Sequence, residues 1–174
     1  MFFSILYFCR VSSFLSFLRC NVFRFLGSKI ASPVFIDIGF ECFMPYNLSI
    51  GRNTSLGHHN HIWAFNPVYI GNYVQTAKDL LIISGTHSVD SFKPLSGPPY
   101  NVIVEDGCWI GARVTILAGV TVGKGSIIGA GSVVVNSIPP FTIASGNPCR
   151  VIKKRIPSSY IISPFGYYQI SDLN

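Results

Sequence analysis

Aliphatic side chains return every sixth residue in the second half of the chain, at Val104, Ile110, Ile116, Val122, Ile128 and Val134. Glycine follows three of them directly, at Gly111, Gly123 and Gly129. The residues two places before each aliphatic position are small or of modest size: Cys108, Val114, Val120, Ser126 and Ser132. A period of six fits neither a helix face, which repeats every 3.6 residues, nor the plain alternation of a strand. It is the signature of a solenoid in which each hexad is a short strand plus a turn, with its aliphatic residue stacked on its counterparts in the coils above and below.

The same frame is recognisable earlier in the chain, less regularly. Ile30 and Ile36 lie six apart, and Ile50, Leu56 and Ile62 make a coil of three hexads. A slip of two residues follows at Asn66-Pro67, after which Ile70, Thr76 and Ile82 make another coil that ends at His87. Residues 88–101 break the frame with Pro94, Gly97, Pro98 and Pro99, which predicts a loop thrown out of the solenoid. Pro139-Pro140 closes the repeat, because proline supplies no ladder donor.

Residues 1–28 have a different period. Tyr7, Phe8, Val11, Phe14, Leu15, Leu18, Val22, Phe25 and Leu26 fall on one face of a helix, with Arg10, Ser12, Ser13, Ser16, Arg19, Asn21 and Arg24 elsewhere on the wheel. Phe17 and Phe23 interrupt the polar side, and Gly27 fits a helix stop. The uncharged stretches are much shorter than the roughly 20 residues of a membrane span. The flanks are not those of a signal peptide. Two readings stand: a helix that packs on the solenoid or on a neighbouring subunit, or one that lies in a membrane interface with its arginines toward lipid phosphates. The expected organisation is an N-terminal amphipathic helix over 1–28, a solenoid domain over 29–155 with the loop 88–101 extruded from it, and a C-terminal tail over 156–174.

Composition narrows the range of partners. A chain of 174 residues with 13 basic and 7 acidic side chains carries a formal charge of +6 and favours anionic ligands such as phosphates, a nucleotide-bearing cofactor or acidic lipid. No nucleic-acid module accompanies that charge, so nucleic acid is not an expected partner. Cys9, Cys20, Cys42, Cys108 and Cys149 are odd in number and include no C-x-x-C pair, which points to a reducing compartment and to neither a disulfide frame nor a zinc knuckle. Cys108 occupies an inward position of its hexad. The histidines His58, His59, His61 and His87 raise the possibility of a metal site. Adjacent residues on a strand face opposite ways, so His58 and His59 serve one ion only where a turn reorients them, and no metal is expected.

The hexad frame, the step Thr86-His87-Ser88-Val89-Asp90, the run Cys108-Trp109-Ile110-Gly111 and the closing Gly146-Asn147-Pro148-Cys149-Arg150 together resemble the hexapeptide-repeat O-acetyltransferases. The likeness covers about residues 28–155 and extends to the maltose and galactoside enzymes and to the acetyltransferases of surface-polysaccharide synthesis. It implies an all-β chain folded as a left-handed parallel β-helix, a homotrimer with active sites between subunits, and acetyl-CoA as acyl donor. By the same resemblance His87 is the general base that takes the proton of a sugar hydroxyl, a role suited to a side chain that titrates near pH ~6.5. Trp109 lines the acceptor site, where an indole face fits the apolar face of a sugar ring. Asp90 is assigned to the acceptor site and shares with Glu105 the candidacy for orienting the imidazole. Ala112 and Ala130 lie along the CoA arm, Pro148 turns the chain past the adenine, and Arg150 and Lys153 meet the phosphates. Lys124, Lys154 and Arg155 are further candidates for those phosphates.

Two departures bear on the acceptor. A Phe-rich helix replaces the N-terminal acceptor-binding segment of the galactoside enzymes, and Gly57-His58-His59-Asn60-His61 has no counterpart to their coil asparagine. The expected acceptor is therefore a sugar, glycolipid or nucleotide-sugar of surface-polysaccharide synthesis rather than a simple galactoside. The expected location is the cytoplasm, with peripheral contact to the inner face of the membrane through residues 1–28. The alternatives are N-acetylation of an amino-sugar nucleotide and, further off, a zinc hydratase or a non-catalytic scaffold.

Overall fold

The computed structural model describes residues 2–87, 94–95, 100–155, 160–163 and 166–169. The chain winds into a parallel β-helix of three sheets. Sheet A stacks Lys29–Ile30, Leu48–Ile50, Val68–Ile70, Val102–Val104 and Thr121–Val122. Sheet B stacks Val34–Ile36, Thr54–Leu56, Gln75–Thr76, Trp109–Ile110, Ile127–Ile128 and Thr142–Ser145, with Arg150–Lys154 returning antiparallel at its end. Sheet C stacks Glu41–Phe43, His61–Trp63, Leu81–Ile83, Thr115–Ile116 and Val133–Val134.

The hexad frame marks the inward positions. Ile30, Ile50, Ile70, Val104 and Val122 form one ladder, and Ile36, Leu56, Thr76, Ile110 and Ile128 form the next. All ten are buried. Each fully buried Ile, Leu or Val contributes about 1.5–3 kcal/mol, so stacking identical positions builds a core without enclosing a sphere. Cys108 is one of the buried small residues between the ladders, and its Sγ contacts the Gly123 carbonyl at 3.2 Å. Gly111 explains why glycine follows the aliphatic position. A Cβ there would lie 2.6 Å from the Ala130 backbone nitrogen of the next coil.

The coils are not of one length. Equivalent positions are 20 residues apart from Ile30 to Ile50 to Ile70, and 18 apart from Val104 to Val122. The surplus lies at one corner, between sheets C and A. There the first coil makes a short 3-10 turn at Pro45–Asn47, the second carries Asn66-Pro67, and the third departs into the excursion that begins at His87. The slip seen in the sequence at Asn66-Pro67 is thus one instance of a recurrent corner.

Helix α1 (Phe2–Phe25) closes the N-terminal end of the solenoid. The first strands of sheets A and B pair on one side only, leaving edge groups that need partners. Side chains of α1 supply them. Arg19 Nη1 donates to the Ile36 carbonyl at 2.6 Å and Ser16 Oγ accepts from the Ile36 N–H at 2.8 Å. Arg24 donates to the carbonyls of Ile30 and Ala31 at 2.9 and 2.7 Å. Cys20 is buried, and Phe23 meets Phe40 edge-on with ring centroids 4.9 Å apart.

The helix meets the solenoid through its polar side and not through its apolar face. The side that meets the solenoid is the one bearing Ser16, Arg19, Cys20, Phe23 and Arg24, while Phe14, Leu15, Leu18, Val22 and Phe25 of the apolar face are exposed. The arginines are tied to carbonyls rather than displayed outward. Polar side chains win the inner position because a bare strand edge wants hydrogen bonds more than it wants carbon. Tyr160–Ser163 and Gly166–Gln169 of the tail pair with each other as an antiparallel hairpin.

Candidate active site

His87 leaves the solenoid at the corner between sheets C and A, and its position is built from the coil below. Ser84 and Asn66 are buried and doubly tied: the Asn66 N–H donates to Ser84 Oγ at 2.9 Å, and Asn66 Nδ2 donates to the Ser84 carbonyl at 2.6 Å. Gly85 then passes flat against the Phe65 ring, where a Cβ would stand 2.5 Å from a ring carbon. Thr86 and His87 form an antiparallel pair with Leu95 and Pro94, so the excursion begins as a narrow hairpin. The His87 side chain is exposed. Asp90, assigned to the acceptor site, lies outside the described residues.

Beside this corner stands an aromatic cluster that the hexad reading missed. Phe43, Trp63 and Ile83 are in register on the outer face of sheet C. Phe65 packs on Phe43 at 5.4 Å and on Trp63 at 6.3 Å between centroids. Together with Glu41 and Cys42 these rings border an open cavity of about 400 Å³. The signal was in the sequence, since Phe43, Trp63 and Ile83 are spaced by the 20-residue coil and not by the hexad.

Trp109 lies on the outer face of sheet B, 53% exposed, in register with Gln75 below and Ile127 above. Along the corner between sheets B and C, the same register stacks Ala112 under Ala130, and Gly146 follows in the next coil. The Ala112 carbonyl accepts from the Gly131 N–H at 2.8 Å, and around Gly131 a Cβ would meet nothing within 4 Å. Three successive coils thus present almost no side-chain bulk. The line ends at exposed Pro148, Arg150 and Lys153, the last two on the returning strand, opposite Ser145 and Ile143. The structure brings Trp109, Ala112, Ala130, Pro148, Arg150 and Lys153 to one edge of the prism, and puts His87 at another.

Two basic or acidic candidates have structural duties instead. Arg155 is half-buried and donates from Nη1 to the Gly125 carbonyl at 2.6 Å, and burial lowers its pKa. That bond clamps the terminal strand to the turn at Gly125. Glu105 accepts the Lys124 N–H at 2.6 Å and so closes a turn between sheets A and B, at a different corner from His87.

The other histidines belong to turns and strands. His58 pairs with Asp37 at 2.9 Å and His61 with Glu41 at 3.2 Å. His59 occupies the left-handed region at φ 54°, and its ring lies over Gly39 of the preceding coil. Among the described residues no three His, Cys, Asp or Glu groups converge as metal ligands.

A parallel β-helix wound on a hexad repeat is the fold of the hexapeptide-repeat transferases. A family model described as bacterial transferase hexapeptide (six repeats) matches residues 101–136. The galactoside O-acetyltransferase of Lactococcus lactis is 35% identical over 72% of this chain and 66% of its own length. The maltose O-acetyltransferase of Clostridium difficile superposes with a TM-score of 0.71 at 33% identity, over 80% of this chain and 75% of that one. A hexapeptide-repeat acetyltransferase of Vibrio cholerae, solved with acetyl-CoA, also gives 0.71 at 26% identity, over 80% and 77%. The chain belongs to the hexapeptide-repeat acetyltransferase family. It spans about two thirds of the galactoside enzyme's length and three quarters of the maltose enzyme's.

Proposed function

We propose that the protein transfers an acetyl group from acetyl-CoA to a hydroxyl of a sugar in surface-polysaccharide synthesis. The observation that carries this reading is the rail: Ala112, Ala130 and Gly146 stacked without bulk and ending at two exposed cations. A pantetheine arm fits along such a corner, and Arg150 and Lys153 suit the phosphates at its end. In the reaction His87 accepts the proton of the acceptor hydroxyl as its oxygen bonds to the thioester carbon. Collapse of the tetrahedral adduct breaks the C–S bond, and the departing thiolate takes the proton back from the imidazolium. The acetyl-CoA-bound relative and the sugar acceptors named for the galactoside and maltose enzymes support the donor and the acceptor class.

The working unit in this proposal is a homotrimer. His87 and the Trp109 rail lie on different edges of one prism, so a complete site needs the edge of a neighbour. The outer face of sheet C supports the same reading: Phe43, Trp63 and Ile83 run in register, and Leu117 and Val135 continue the apolar column along the solenoid. A contact between this face and sheet B of the next copy uses two different surfaces, the heterologous geometry that closes into a ring.

The test is release of free thiol from acetyl-CoA with a panel of sugar, glycolipid and nucleotide-sugar acceptors. The unaltered chain is expected to release thiol with at least one hydroxyl acceptor, and His87→Ala to lower turnover roughly 10²–10⁴-fold. Undiminished turnover in that variant removes His87 from the role. Transfer only to amino acceptors makes the protein an N-acetyltransferase.

A further inference from the structure

The outer face of α1 is an apolar surface on the end cap of the solenoid. Phe14 and Phe17 are each 60% exposed and Phe25 is 91% exposed, with Leu18 and Val22 beside them. From Phe14 to Phe25 this face runs about 16 Å. An ordinary surface helix turns its carbon inward and its charges outward. Here the hydrogen bonds of Ser16, Arg19 and Arg24 to the strand edges fix the opposite orientation, so the exposed carbon is a built feature and not a frayed end.

Charge decides what covers it. Residues 1–36 contain the cations Arg10, Arg19, Arg24 and Lys29 and no Asp or Glu, so most of the chain's net +6 resides in this end. Arg19 and Arg24 spend their hydrogen bonds on the strand edges, but no acidic side chain in residues 1–36 offsets their charge, so a second copy docking end to end would bring two net-positive ends together. An anionic surface is the complementary partner. No helix among the described residues is long and apolar enough to cross a membrane, and a helix with one apolar face meets a bilayer by lying in its plane. We propose that the outer face of α1 inserts into the interface of a bilayer carrying anionic lipid, with the solenoid standing away from it. In the parallel trimer proposed above, three such faces lie at one end, which multiplies the attachment. The inference rests on the fold and the charge and does not require acetyl transfer.

The experiment is flotation of the full chain with phosphatidylcholine vesicles that contain or lack phosphatidylglycerol. The unaltered chain floats with the phosphatidylglycerol vesicles and less with pure phosphatidylcholine. Phe14→Glu/Leu18→Glu/Phe25→Glu, which changes only exposed side chains, lowers the partition coefficient about tenfold or more. A single Phe25→Trp substitution provides a second readout, because the emission of the new indole shifts to the blue and is quenched by brominated lipid when the face inserts. Failure of the unaltered chain to float overturns the proposal, as does equal flotation of the triple variant or an unquenched indole signal in the Phe25→Trp variant. Light scattering that shows the unaltered assembly doubling in solution, with the triple variant at half that mass, also overturns it in favour of end-to-end pairing. Thiol release with a water-soluble acceptor, followed in the same variants, separates loss of docking from loss of the enzyme.

Discussion

Single residues hold the candidate base in place through contacts it does not itself make. Ser84 is the last buried residue before the chain departs, and its hydroxyl both accepts from the Asn66 N–H and donates to the Asn66 carbonyl at 2.6 Å. Ser84→Ala is expected to cost about 1–3 kcal/mol in denaturant unfolding and to lower turnover by loosening the root of the His87 hairpin. His87→Ala, at an exposed side chain, should leave the thermal midpoint unchanged. The two variants therefore separate support from chemistry. Cys108 gives a pH-dependent test. Burial pushes its thiol from the ordinary 9.0 up to about 12. Between those values the unfolded chain has released this proton and the native chain has not, so native stability falls as pH rises through that window. Cys108→Ala lacks the titrating thiol, and the stability gap between it and the unaltered protein should narrow in urea titrations from about pH 8 to about pH 11.

At the level of the element, the solenoid strands were legible because each hexad repeats one local instruction. An aliphatic side chain enters the core, a small residue fits between ladders, and glycine lets the next coil pass. Val104, Ile110, Ile116, Val122, Ile128 and Val134 are all buried accordingly. Helix α1 was legible as a helix, but the face by which it docks was not. The amphipathic rule assumes that a helix docks on carbon, whereas this one docks on the unpaired carbonyls and N–H groups of Ile30, Ala31 and Ile36. Nothing in a helical wheel announces a strand edge as the partner. Ser16→Ala keeps the volume near constant and removes the acceptor of the buried Ile36 N–H. It should lower stability by about 1–3 kcal/mol in chemical unfolding, more than an apolar replacement on an inward helix face would suggest. The aromatic column was hidden for another reason. Phe43, Trp63 and Ile83 obey the coil and not the hexad, so their 20-residue spacing shows only once the coils are known.

For the whole molecule, the prism separates its parts by edge. The rail and its cations occupy the corner between sheets B and C, the extruded hairpin the corner between C and A, and the apolar column the face between those two corners. In the proposed trimer a neighbour seated on that face stands between the candidate base and the rail, so the proposal ties turnover to assembly. Trp63→Glu/Leu117→Glu should convert the assembly to monomers by size-exclusion chromatography with light scattering. Circular dichroism is expected to stay unchanged while thiol release is lost. A variant that stays assembled and active would dissociate sheet C from the proposed contact.

The corner between sheets C and A has a consequence for how such a protein changes over time. It takes up two residues at Pro45–Asn47, two at Asn66-Pro67 and a long excursion after His87, while the ladders on either side keep their register. Length added there alters neither the core nor the rail. If the protein acts as proposed, the insert at this corner can change while the ladders and the rail stay as they are, and the molecule is in this sense a fixed frame with a replaceable cassette.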